Sequence, residues 1–150
     1  TWPLWSLDQD ILPPLMLGQY KLYLDEQQNP VGFVTWAWLD EQGKQKMLDD
    51  EGPLKNEEWD AGTNAMVNDF VAPWGHAKQI VGDLKRNVFR DRKVFSIGRA
   101  SDGRIRKIYH WRGVEYKDPV YRTQQADSAT SWSRVQRIRW VRTHPPNNQT

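Results

Sequence analysis

The segment Met66-Val67-Asn68-Asp69-Phe70-Val71-Ala72-Pro73-Trp74-Gly75 constrains the fold of this chain more than any other stretch. Val67, Phe70 and Val71 give it the β-branched and aromatic content of a buried strand. Pro73 and Gly75 then stop it, because proline has no ladder donor and glycine suits a turn. Asp69 lies in the middle of the run. A carboxylate taken out of water is costly unless it is hydrogen-bonded or paired, so Asp69 is expected to have a partner. Two roles fit it: a structural Asp that ties down a neighbouring loop, or a carboxylate that orients a catalytic base. The residues alone leave both open.

Further strands are expected on either side of this segment. Residues 19–24 alternate roughly in period two, 25–30 form a polar turn, and 31–39 are almost continuously apolar, which together predict a β-hairpin. Gly32 inside its second strand marks a bulge or a close backbone approach. Upstream, Pro13 and Pro14 end any helix begun near Ser6. Residues 40–52 are polar, and 53–61, with Trp59, read as a short helix or a loop. After Gly75, the spacing of Ile80, Val81, Leu84, Val88 and Phe89 predicts a helix. Residues 94–100 and 104–112 flank Ser101-Asp102-Gly103 as a second hairpin. Residues 113–133 are polar and turn-rich, 134–142 alternate like an edge strand, and 144–150 read as a disordered tail. The fold class is therefore α+β: a single domain with a mainly antiparallel or mixed central sheet flanked by helices.

Composition narrows the function classes. At 150 residues the chain is long enough for one ordinary core, and its nine Trp, five Tyr and four Phe supply the apolar bodies. No stretch of eighteen apolar residues provides a membrane span, and residues 1–7 lack the basic start of a signal peptide. The absence of Cys excludes disulfides, thiolate metal sites and a thiol nucleophile. These features fit a cytoplasmic protein. There is no Gly-Lys-Ser/Thr phosphate loop, dinucleotide glycine fingerprint or His-Glu-x-x-His. His76, His110 and His144 are too dispersed for a metal site, and His76, following Gly75, reads as a surface or capping residue. Residues 1–103 hold 11 basic against 16 acidic side chains, a net of −5, whereas 104–142 hold 10 against 3, a net of +7. A basic second half suggests an acidic partner. Its interleaved Tyr109, Trp111 and Trp140 suit single-stranded nucleic acid, or simply a solvated sheet face with snorkelling arginines.

Several segments, taken in order, resemble the toxin-activating lysine acyltransferases, the hemolysin C type that activate RTX protoxins. They are Trp2-Pro3, Ile11-Leu12-Pro13 and Gly18-Gln19-Tyr20, then Pro30-Val31-Gly32-Phe33-Val34-Thr35-Trp36-Ala37 beside that family's Pro-Val-Ala-Tyr-Cys-Ser-Trp-Ala. Asp69-Phe70-Val71-Ala72-Pro73-Trp74-Gly75 stands close to its Asp-Trp-Ile-Ala-Pro-Phe-Gly, with weaker echoes at residues 95–99 and at Lys107. The likeness runs from Thr1 to about Gly113. It implies an acyltransferase core over 1–118 and a divergent basic extension over 119–150. It also implies a fold like the GCN5-related N-acetyltransferases, often as a homodimer, and transfer of a fatty acyl group from acyl carrier protein to an internal lysine of the protoxin. No bound cofactor is implied; acyl carrier protein brings the acyl group, and the chain lacks an Arg/Gln-x-x-Gly-x-Gly/Ala loop for coenzyme A. Nucleic acid is not an expected partner on this reading. The alternative is a non-catalytic basic module that binds acyl carrier protein or single-stranded nucleic acid.

The resemblance also assigns roles. Asp69 matches the family's catalytic Asp, which orients a catalytic His. That His precedes the Trp-Pro dipeptide, two positions upstream of Thr1, so the expectation is a trimmed or processed N-terminus, with a chain lacking the His inactive. Backbone groups of Trp36 and Ala37, at a bulge, would polarise the thioester carbonyl. Arg99 and Lys107 would contact phosphopantetheine or the carrier, or else serve as plain surface charge. The apolar faces of the first hairpin and the Asp69 strand would form an acyl groove, or plain core.

Overall fold

In the computed structural model, which describes residues 7–117 and 133–138, the fold is carried by one mixed sheet of six strands. A π-helical turn (Leu7–Ile11) leads into α1 (Leu12–Met16), β1 (Tyr20–Leu24), β2 (Pro30–Leu39), α2 (Glu41–Leu48) and a 3-10 turn (Asn56–Glu58). Then come β3 (Asn64–Val71), α3 (Ala77–Asp83), a second π-helical turn (Leu84–Val88), β4 (Lys93–Arg99), β5 (Ile105–Arg112) and β6 (Val135–Arg137). The strand order is β5-β4-β3-β2-β1-β6. The pairs β1–β2, β2–β3 and β4–β5 are antiparallel, and β3–β4 and β1–β6 are parallel. The α+β class, the mixed sheet and both expected hairpins are present. The edge strand expected in 134–142 is the three-residue β6; residues 118–132 and the expected tail at 144–150 lie outside the described residues.

The continuous apolar run of residues 31–39 makes β2 the strand that is covered on both faces. On one face Val34 and Trp36 join Val67 and Val94 beneath Ile80, Leu84 and Phe89, which α3 and its π-helical extension supply at helical spacing. Phe89 centres this layer, edge-on to Trp36 at 5.4 Å and to Trp38 and Trp111 at 5.7 Å each. On the other face Ala37 and Leu39 join Met66 and Phe95 beneath Met47, Leu54 and Trp59. Because β3 and β4 are parallel, the chain must cross over between them, and α3 is that crossover. Gly32 keeps the first face tight: it sits beside a register irregularity, and Ile80 packs where its Cβ would be.

Across the same helix runs a buried polar link. Asp83 Oδ2 accepts from Lys21 Nζ at 2.7 Å and from the Tyr23 hydroxyl, and Asp83 Oδ1 accepts from Asn87 Nδ2 at 2.6 Å. Lys21 and Asp83 are each 1% exposed. Burial alone would push the Asp83 carboxyl up, but the donors from Lys21, Tyr23 and Asn87 outweigh it and hold the carboxyl below its ordinary value. Burial first, and Asp83 second, push the Tyr23 phenol well above its ordinary value.

Three local expectations are corrected. Pro13 and Pro14 do not end a helix; they open α1, where a missing N–H costs nothing in the first turn. The polar stretch after Asp40 is helical, its first turn capped by Asp40 Oδ1 accepting from Gly43 N at 2.7 Å. Phe70 and Val71 are exposed, not buried, because β3 outruns its pairing with β4.

Candidate functional site

The parallel pair β3–β4 extends over only three positions, Ala65↔Val94, Met66↔Phe95 and Val67↔Ser96. Beyond Val67 the strands part: residues 68–71 follow β2 and residues 97–99 follow β5. A bulge lies at the parting point. Thr35 pairs with Asp69 and Trp36 with Val67, which leaves Asn68 as the extra residue on β3. The result is a wedge-shaped opening in the sheet with Asp69 on one wall.

Asp69 has the partner that its place in an apolar run demanded, although it is half-buried and not buried. Its Oδ2 accepts from Thr35 Oγ1 at 2.8 Å and from Asn68 Nδ2 at 3.1 Å, and its own N–H donates to Thr35 Oγ1 at 3.2 Å. Thr35 is wholly buried, so the hydroxyl is a fixed anchor. Oδ1 of Asp69 accepts no hydrogen bond from the described residues. Asn68 Nδ2 also reaches the Asp10 carbonyl at 3.5 Å, which ties the first π-helical turn to the bulge. The Asp10 carboxyl is raised above its ordinary value, by burial first and then by the Asp69 charge, against a smaller opposing pull from Arg99. Asp10 therefore lies in the electrostatic field of both walls of the opening.

The other expected site residues divide. Arg99 ends β4 and follows Phe95 and Ile97 in alternation, which places it on the sheet face that Thr35 and Ala37 share. Its Nη1 donates to Asp50 Oδ1 and to the Gly103 carbonyl, both at 2.8 Å. Lys107 pairs with Gly98 and stands over the Tyr109 ring at 5.0 Å, two residues from Trp111, which packs into the opposite face. Lys107 is thus not brought together with Asp69. The bulge expected beside Trp36 and Ala37 exists, but their proposed part in it is corrected. The Trp36 N–H donates to the Gln19 backbone carbonyl at 3.1 Å and Ala37 is wholly buried, so neither is open to a thioester. The apolar residues expected to form a groove, Val34, Trp36 and Val67 among them, are core. His76, read as a surface or capping residue, is 3% exposed and makes no side-chain cap.

Sequence reasoning missed Asp10, Thr35 and Asn68. Thr35 and Asn68 carried a signal, as a hydroxyl inside an apolar strand and a polar neighbour of Asp69; Asp10 carried none. Among the described residues no three His, Asp or Glu side chains converge as metal ligands, and no helix is long and apolar enough to cross a membrane. The edge strand β5 is largely exposed and carries Arg106, Lys107 and Arg112.

Comparison with known proteins follows the same stretch of chain. The profile of the RTX toxin acyltransferase family matches residues 1–112. An uncharacterized protein of Synechocystis sp. is 39% identical over 95 residues, 63% of this chain and 65% of that protein. Lysine-acyltransferase RtxC of Vibrio cholerae is 35% identical over 81 residues, 54% of this chain and 53% of the relative. Protein-lysine myristoyltransferase RtxC of Kingella kingae is 27% identical over 120 residues, 78% of this chain and 70% of the relative. The chain thus spans about half to two thirds of the length of the first two curated relatives.

Proposed function

This chain belongs to the RTX toxin acyltransferase family, and we propose that it moves a fatty acyl group from acyl carrier protein to an internal lysine of an RTX protoxin. Relatives named lysine-acyltransferase and protein-lysine myristoyltransferase support the reaction class. The observation that carries the reading is Asp69 at the bulge. One carboxylate oxygen is pinned by Thr35 and Asn68, and the other accepts no hydrogen bond from the described residues.

The chemistry asks for such a group. A lysine ammonium, with an ordinary pKa of about 10.4, must lose a proton before its nitrogen can attack a thioester. In the family the base is a His two positions upstream of the place Thr1 holds. Asp69 Oδ1 would accept that imidazole's N–H and stabilise the charge it gains. The His takes the ammonium proton, and the free amine nitrogen then attacks the thioester carbonyl carbon. The amide bond forms, the C–S bond breaks, and the departing thiolate takes up the second proton that the nitrogen gives up. The chain has no Cys, so we favour direct transfer over an acyl-enzyme. The mixed sheet, with its interior parallel pair β3–β4 parting at the bulge, supports a GCN5-related N-acetyltransferase-like fold. The basic edge strand β5, with Arg104 just before it, is the surface that an acidic carrier would meet. A homodimeric state and a cytoplasmic location belong to the same reading.

The test is intact-mass analysis of a protoxin fragment after incubation with long-chain acyl carrier protein and the enzyme, with and without a His placed two positions ahead of Thr1. A mass gain of one acyl group on a lysine, lost with Asp69→Asn, is the expected result. No gain, with salt-dependent binding of a single-stranded oligonucleotide instead, would favour the non-catalytic basic module.

A further inference from the structure

Apart from the wedge, a cavity of about 580 Å³ opens where the β1–β2 turn meets the segment leading from β3 into α3. Its lining includes Asp25, Glu26, Asn29, Val31, Trp74 and His76. His76 is the unusual member. It is 3% exposed, and neither Nδ1 nor Nε2 has a hydrogen-bond partner among the described residues. Buried polar nitrogens in a native structure are paired almost without exception, and this ring forms part of the cavity wall. A molecule entering the cavity is therefore placed to complete its hydrogen bonding.

The rest of the lining states what kind of molecule that is. Asp25 Oδ1 accepts from the backbone N–H groups of Gln27 and Asn29, both at 2.8 Å, and Oδ2 accepts from Asn29 Nδ2 at 3.2 Å. The Asn29 backbone donor foremost, then its side chain, the Gln27 N–H and the His76 charge, hold the Asp25 carboxyl below its ordinary value, so it is an anion in solution near neutral pH. Glu26 adds a second carboxylate, and no lysine or arginine is among the described lining residues. Trp74 is 62% exposed and presents an indole, the best ring for a cation. Two carboxylates, an aromatic face and an imidazole without a hydrogen-bond partner among the described residues match a cation that carries N–H donors. Trp74 lies five residues beyond Asp69 on the same strand and its exit loop, so the cavity and the wedge share one support.

We propose that this cavity receives a basic side chain of the acceptor polypeptide, distinct from the lysine that is acylated, and so sets the acceptor's register against Asp69. The proposal rests on the acyl-transfer reading for the identity of the polypeptide, whereas the binding chemistry is tested without it. Titration of ¹⁵N-histidine-labelled protein with a blocked Gly-Arg-Gly amide should move the His76 ring signals saturably, those signals being assigned by their absence from His76→Gln. Binding should weaken at least tenfold in Glu26→Gln and in Trp74→Ala, and a blocked Gly-Glu-Gly amide should not bind. Unmoved His76 signals, equal affinity in both variants, or equal binding of the glutamate peptide would overturn the site. In the transfer assay the same two variants should raise KM for the protoxin fragment and leave kcat and the donor KM in place. Transfer with an unchanged acceptor KM would overturn the register role. A protein that binds the arginine peptide but transfers no acyl group would overturn the transfer reading and leave the cation site standing.

Discussion

Two carboxylates lie in polar clusters of this sheet, and they are built in opposite ways. Asp83 is buried to 1% exposure, and both of its oxygens are occupied, by Lys21 and Tyr23 on one side and Asn87 on the other. Asp69 is half-buried, and among the described residues only its Oδ2 is occupied, by Thr35 and Asn68. The first arrangement uses up the capacity of the carboxylate, and what remains is a cross-link between β1 and α3. The second fixes the group's orientation while keeping acceptor capacity in reserve. Occupancy of both oxygens, more than burial, separates a fastener from a group that can act on something else.

The sharpest way to break this contrast is Asp69→Asn. The fold should change little, by under about 1 kcal/mol, because the neutral amide oxygen still meets Thr35. Acyl transfer should fall by about 100- to 10,000-fold, the range that a general base commonly supplies. Near wild-type turnover with an unchanged melting temperature would make Asp69 another fastener.

Asp83→Asn should do the reverse. Removing one partner of a buried ion pair leaves Lys21 uncompensated, at a cost of about 3–5 kcal/mol in a urea titration. The pH dependence carries a sign that can be read. Because the folded-state carboxyl lies below its ordinary value of 3.8, its contribution is present above that value and is lost as pH falls through the folded value. Wild-type stability should therefore drop steeply at acid pH, and the variant should lack that part of the drop. A variant as stable as wild type at pH 7 would show that the link contributes nothing.

Thr35→Val tests the anchor alone. The loss of its two hydrogen bonds with Asp69 should cost about 1–3 kcal/mol. Transfer should fall by up to about 100-fold through misplacement of Asp69, and Thr35→Ser should restore it. A stability loss without a change in transfer would reduce Thr35 to packing.

The smallest effect is expected at Asp10, whose carboxyl is raised by burial and by Asp69. A raised carboxyl disfavours the folded state once both states are ionised. Asp10→Asn should therefore stabilise modestly at pH 7, and the gain should vanish below about pH 3.8, where the acid is protonated in folded and unfolded chains alike. A melting curve at each pH decides it.

The strands were legible because their patterns are local. Residues 19–24, 31–39, 94–100 and 104–112 alternate or run apolar in windows that match β1, β2, β4 and β5 closely. Asp69 was legible as well, since an acid inside an apolar strand stands out against its neighbours. What escaped depended on tertiary placement. Pro13 and Pro14 stop a helix or start one according to where the first turn falls, and the chain used them as a start. The bulge at Asn68 is a single-residue insertion against β2, invisible until the register is known. Lys107 stood near Arg99 in the resemblance, yet alternation sends the two to opposite faces. His76 follows a glycine in a polar-looking turn, and its burial comes from the fold around it.

The pairing of β6 with β1 has a consequence for the order of assembly. Its three residue pairs and the contact from Arg134 Nε to the Gly18 carbonyl join positions as much as 116 residues apart in the chain. Bringing such distant segments together confines a long stretch of polypeptide in return for few contacts, whereas β1–β2 and β4–β5 close over short turns. The sheet from β5 to β1 can thus form as a nascent unit, with β6 joining it late and leaving it early. The amide of Leu22, which donates to the Arg134 carbonyl, should exchange with solvent long before that of Trp36 at the centre of the sheet.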